Sequence, residues 1–199
     1  MSTKTARHSK VTALDLGADA KMTPALSAYF AKCREKLGFV PNVLKAHAFD
    51  VKKLQAFIDM ADDLMLGDSG LSRLEREMIA VAVSAVNHCP YCLTAHGAAV
   101  RRLAKDAEMG EWIAQNYRAA RLTARQKAML DFAIKLTEQP DKIEEADRAA
   151  LRSAGWSDRD IWDIAAVAGF YNMSNRLAAA VDMRPNPEYH YMARERSGE

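Results

Sequence analysis

Apolar residues recur at intervals of three and four along most of the chain, the spacing of a helix with one buried face. Between Gln126 and Leu136, for example, Met129, Leu130, Ala133, Ile134 and Leu136 share one side. Start signals precede several of these runs. Thr23-Pro24 reads as an N-cap followed by a first helical residue. Ser72 with Glu75 and Thr123 with Gln126 have capping-box spacing, and Ser157 with Asp160 repeats it with a shorter acid. The run from Met78 to Val86 is rich enough in Val for a buried strand, but its length and the cap at Ser72 predict a helix. No hairpin signal interrupts the pattern. The expectation is an all-α chain of about ten helices, ending near 37, 49, 66, 87, 106, 118, 138, 154, 172 and 182. Short loops fall at Gly38 to Asn42, Gly67 to Gly70, Gln139-Pro140 and Gly155. Residues 1–20 read as a flexible arm, 21–183 as the helical domain and 184–199 as a tail.

Composition agrees with this reading. Ala, the best helix former, is the commonest of the 199 residues, against 9 Gly and 6 Pro. Basic and acidic residues nearly balance, 28 against 26, which argues against a dedicated nucleic-acid binder. No apolar run is long enough to cross a bilayer, and the polar, basic start lacks the apolar stretch of a secretory signal. The expected address is the cytoplasm, with no nucleic-acid or membrane partner.

An offset of 85 residues brings Gly70, Ser72, Ile79, Ala80 and Asn87 onto Gly155, Ser157, Ile164, Ala165 and Asn172, with Glu75 over Asp160. This suggests two related helical halves sharing one core. The second half, about 123–183, has no cysteine: Ser174 lies under Cys89 and Leu177 under Cys92.

The chemistry concentrates in Asn87-His88-Cys89-Pro90-Tyr91-Cys92-Leu93-Thr94-Ala95-His96. Pro90 suits a first helical position, which makes Cys89 the N-cap. Cys92 then lies in the first turn, and His96 four residues on shares its face. A helix N-terminus favours thiolate, and a neighbouring imidazole can take the thiol proton or stabilise the anion. Two thiols at this spacing can meet, so a sulfenic acid on one is resolved by the other. Glu77, twelve residues before Cys89 on an otherwise apolar helix, is the candidate carboxylate for a proton relay; Glu75 is accounted for by the cap.

Glu77 followed by Cys89-x-x-Cys92-x-x-x-His96 in an Ala-rich helical chain resembles the AhpD-like alkylhydroperoxidases of the carboxymuconolactone decarboxylase superfamily. Gly38-Phe39-Val40-Pro41-Asn42 and Tyr171-Asn172-Met173-Ser174-Asn175-Arg176 extend the resemblance to the branch of peroxidase-related proteins. The resemblance implies a helical bundle and a peroxidase in which Cys92 attacks the hydroperoxide, Cys89 resolves it, His96 holds and deprotonates Cys92, and Glu77 relays protons. It implies no bound cofactor and no metal, a dithiol reductant of lipoyl or thioredoxin-like type, and a homo-oligomer, trimer or hexamer. The family's second relay His, between the cysteines, is Tyr91 here; Tyr91 and His88 are the possible replacements. Val83, Val86 and Leu93 point to an organic hydroperoxide rather than hydrogen peroxide.

Other readings compete. His88, Cys89, Cys92 and His96 could ligate zinc, but all lie within nine residues, with no second ligand pair elsewhere. Cys-Pro-Tyr-Cys is also the glutaredoxin tetrad, but that fold needs a strand before the motif and helices flank it here. A thiol–disulfide oxidoreductase and a non-catalytic redox-sensing oligomer remain as alternatives; decarboxylation does not need the cysteine pair. Cys33, His47 and His190 have no partner in sequence, Arg101-Arg102 suits a solvated helix end, and Trp162, Tyr171 and Met173 read as core.

Overall fold

The computed structural model describes residues 11–194. Over that range the chain forms nine α-helices and no strand. They are α1 (Pro24–Leu37), α2 (Asn42–His47), α3 (Val51–Leu66), α4 (Arg73–Val86), α5 (Pro90–Ala104), α6 (Met109–Asn116), α7 (Ala124–Glu138), α8 (Glu145–Ser153) and α9 (Asp158–Ala180). Short 3₁₀ turns follow α6 and α7, and another spans Pro187–His190.

The predicted caps form. Thr23 Oγ1 accepts the Leu26 N–H, and the three capping boxes at Ser72, Thr123 and Ser157 close in both directions. α4 is the central element because it is apolar all round: Met78 through Val83 are fully buried. It packs on α5, α6, α7 and α9. Trp156 caps the far side of this core, its indole N–H donating to Arg125 O at 3.1 Å under the Arg125 guanidinium.

One pair related by the 85-residue offset meets in space. Asn87 Nδ2 donates to Asn172 Oδ1 at 3.0 Å, and α4 and α9 lie against each other in one core. Gly70 is required there, because a Cβ would collide with the Asp160 carboxylate of the other capping box. The halves differ at one place. α4 stops at Val86 and the chain restarts at Pro90, whereas α9 runs unbroken for 23 residues. The expected break near 172 is therefore absent. Asn175 stands where the first half has Pro90, and nothing there interrupts the ladder.

The segment after α9 is packed. Arg101 is buried on α5 and donates from Nε to Met192 O at 3.1 Å and from a terminal nitrogen to Tyr189 O at 2.9 Å. Arg101 is thus a clamp, not a solvated helix-end charge. Asn186 is buried too, accepting the Asn42 N–H at 2.7 Å and donating to Val40 O at 3.1 Å. Two residues expected in the core are instead exposed, Trp162 at 62% and Met173 at 45%.

α5 and α6 cross at two glycines, and a Cβ on Gly110 would sit 2.9 Å from Gly97 O and 3.2 Å from Gly97 Cα. Backbone cannot yield as a side-chain tip can. Gly110→Ala is expected to lower stability by about 1–3 kcal/mol, read as a lower midpoint in thermal or urea unfolding.

Candidate active site

The break between α4 and α5 builds the site. His88 takes a left-handed conformation (φ 52°), and Cys89 N–H donates back to Ser84 O at 3.0 Å, so the chain reverses within a few residues. Pro90 then opens α5. Cys89 is its N-cap, its sulfur accepting the Cys92 N–H at 3.5 Å. Both thiols are free and only 1% exposed. They sit in an apolar cluster with Phe39, Tyr91, Ala178 and Tyr189.

The two sulfurs have opposite electrostatics. The Cys89 thiol is pushed down to about 6, chiefly by a hydrogen bond from the Cys92 thiol. The backbone N–H groups of Cys92 and Tyr91 and the nearby His96 add to this, and together they outweigh burial. The Cys92 thiol is pushed up, first because it donates to Cys89 and then by burial; Asn175 and Ser174 pull weakly the other way. The resting negative charge therefore belongs on Cys89.

His96 lies one turn beyond Cys92. Its Nδ1 is 2.7 Å from Glu77 Oε2 on α4 and 3.4 Å from the Tyr171 hydroxyl on α9. The Tyr171 ring meets the imidazole edge-on at 4.7 Å. Both sequence-chosen relay residues are thus brought together, and no hydrogen bond joins His96 to either thiol among the described residues. The His96 and Glu77 side chains remain 23% and 17% exposed.

The two possible replacements behave differently. Tyr91 is buried, and its hydroxyl accepts the Val43 N–H at 2.9 Å, which pins α2 to α5. His88 is exposed. Among the described residues no group of three or more His, Cys, Asp or Glu is arranged to hold a metal ion, and no helix is long and apolar enough to cross a membrane.

Sequence reasoning missed the α9 side of the site. Tyr171 is fully buried, its hydroxyl raised well above its ordinary range by burial and by the Glu77 charge. Asn175, also buried, donates to Ser84 Oγ at 3.0 Å and accepts from Asn87 at 3.0 Å. The available signal was polar side chains within the apolar run of α9, in the segment Tyr171–Arg176.

A peroxidase-related protein with an AhpD core from Ralstonia eutropha JMP134 superposes with a TM-score of 0.90 at 40% identity, over 94% of this chain and 99% of that one. A peroxidase-related protein from Silicibacter sp. TM1040 gives 0.90 at 59% identity, over 93% and 97%. The chain belongs to the AhpD-like carboxymuconolactone decarboxylase superfamily. The family profile itself, Carboxymuconolactone decarboxylase family, matches residues 53–130, which contain Glu77 and the whole cysteine motif of this AhpD-like protein. The debrominase Bmp8, bound to 2,3,4-tribromopyrrole, shares the fold at a TM-score of 0.76 and 17% identity, over 91% of this chain and 97% of its own. No curated protein matches the sequence.

The lowered Cys89 value sets a pH dependence. Thiolate absorbance in the ultraviolet is expected to fall with a midpoint near pH 6 as the reduced protein is acidified, and Cys89→Ser should abolish that step. Because the folded value lies below the unfolded one of about 8.5, the thiolate stabilises the fold above that value. The contribution is lost as pH falls through about 6.

Proposed function

We propose that this AhpD-like protein is a thiol-dependent peroxidase that reduces organic hydroperoxides through Cys89 and Cys92. The observation that carries the reading is a thiolate-stabilising N-cap, Cys89, hydrogen-bonded to a second thiol and lying within two turns of a His96–Glu77 pair. Cys89 sulfur attacks the terminal peroxide oxygen and the O–O bond breaks. A sulfenic acid forms on Cys89, and the departing alkoxide takes a proton, delivered through His96, to leave as the alcohol. Cys92 then loses its proton and displaces hydroxide from the sulfenic acid, giving a Cys89–Cys92 disulfide and water. An external dithiol, lipoyl or thioredoxin-like, returns the two electrons by thiol–disulfide exchange and becomes a disulfide itself.

This order of attack is the reverse of the one implied by the family resemblance, which gives the first step to Cys92. The resting charge on Cys89 supports the reversal. Tyr171, in hydrogen-bond reach of His96, takes the place in the relay for which Tyr91 and His88 were candidates. A homo-oligomer, trimer or hexamer, fits the exposed apolar side chains Met60, Met173 and Leu177. A thiol–disulfide oxidoreductase would use the same lowered Cys89 thiol as a good leaving group.

The test is a free-thiol count on reduced protein before and after one equivalent of cumene hydroperoxide. Loss of two thiols per chain is expected, and Cys92→Ser should trap a sulfenic acid on Cys89 that dimedone labels. Labelling of Cys92 in Cys89→Ser, with none in the Cys92 variant, would restore the family order. Intact thiols alongside rapid oxidation by a small disulfide would replace the peroxidase with the oxidoreductase.

Glu77→Gln removes the carboxylate held by His96 without changing its size. It is expected to slow thiol oxidation by about 10²-fold, the usual contribution of a positioned proton-transfer group, while the far-ultraviolet dichroism stays unchanged.

A further inference from the structure

A cavity of about 740 Å³, with Cys33 in its lining, opens among α1, the end of α3 and the α4–α5 hairpin, away from Cys89 and Cys92. Four cations line it: Lys32, Lys36, Arg73 and Arg102. None of them has an ion-pair partner among the described residues, although most of the other described arginines do. The one acid in the lining, Asp62, is already engaged by the Tyr29 hydroxyl at 2.8 Å. Leu37, Leu66 and Leu103 supply apolar wall between the charges.

The cavity and the His96–Glu77 pair share the same two helices, α4 and α5. Arg73 precedes Glu77 by one turn on α4, and Leu103 follows His96 by two turns on α5. At the rise of an α-helix, the stretch of α5 from Cys92 to Arg102 spans about 15 Å, with the His96–Glu77 pair part-way along it. Buried Tyr189 is near both: besides burial, the charges of Glu77 and of Cys33 raise its hydroxyl.

We propose that this cavity binds the carboxylate end of a long-chain organic hydroperoxide, with the chain laid along the α4–α5 groove and the peroxide at the thiols. The substrate role rests on the peroxidase reading; carboxylate binding does not. Unpaired guanidinium and ammonium groups select an anion, and two arginines favour a planar carboxylate. The apolar wall selects an attached hydrocarbon over a bare ion. Overlap of substrate and site spreads the binding energy along the chain, far from the reacting oxygen, where it positions the peroxide.

Calorimetric titration of the full chain with decanoate tests the site without turnover. Binding is expected in the wild type, to weaken at least tenfold in the Arg73→Gln/Arg102→Gln double variant, and to be unchanged in Lys142→Gln, which removes an exposed charge elsewhere. It should weaken with rising salt, and 1-decanol should not displace decanoate. No binding in the wild type, or equal binding by the double variant, would overturn the site. Displacement by inorganic phosphate as readily as by octanoate would reduce it to a simple anion site. Decanoate should also inhibit thiol oxidation by linoleic acid hydroperoxide competitively. Binding without that inhibition would overturn the substrate assignment, whereas thiols inert to every hydroperoxide would sink the peroxidase and leave the carboxylate site standing.

Discussion

Pro90 cannot donate to the α4 ladder, and its ring forbids the helix from passing through it. Everything distinctive about the site follows from how the chain accommodates that break. His88 adopts a left-handed backbone that costs a non-glycine residue on the order of 1 kcal/mol, and the turn is held by the Cys89 N–H on Ser84 O. The reward is a helix N-terminus buried in the protein. Its free N–H groups have no water to satisfy them, so the Cys89 sulfur does so instead. A thiolate there replaces a solvent interaction that burial has removed.

The unbroken α9 completes what the break exposes. Because Asn175 occupies the position of Pro90, α9 passes straight across the α4–α5 turn and sets Tyr171, Ser174 and Asn175 against it. Buried amides are expensive unless paired, and these are paired: Asn87, Asn172, Asn175 and Ser84 form one chain of hydrogen bonds. The network ties the α4–α5 turn to α9. The site is thereby asymmetric, with thiols from the start of α5 and polar support from α9.

The helices and their starts were legible because caps and apolar periodicity are local signals. Cys89, Cys92 and His96 were legible as candidates because they share one helix start, whereas Glu77, on another helix, was joined to them by the family resemblance. What stayed hidden depends on tertiary contact. Tyr171 looks like core until His96 is seen at its hydroxyl, and Arg101 looks like a helix-end charge until the segment 186–192 folds over it. The direction of charge between the cysteines was hidden for the same reason. Spacing shows that two sulfurs can meet, whereas which of them keeps the proton is set by the N–H groups and side chains that face each.

The clamp on Arg101 also decides how the site opens. With Tyr189 and Phe39 packed over the cysteine cluster, both thiols are shut from solvent on the side of the C-terminal segment. The members of the constellation that keep solvent contact are His96 and Glu77, which pair between α4 and α5. In the proposed reaction a peroxide arrives past this pair. Under the proposed reaction the departing alkoxide would then form on the side where the imidazole and carboxylate stand, and the sulfenic acid on the side where Cys92 stands. In the proposed reaction His96 delivers a proton to one end of the broken O–O bond and Cys92 closes the disulfide at the other, from successive turns on one face of α5.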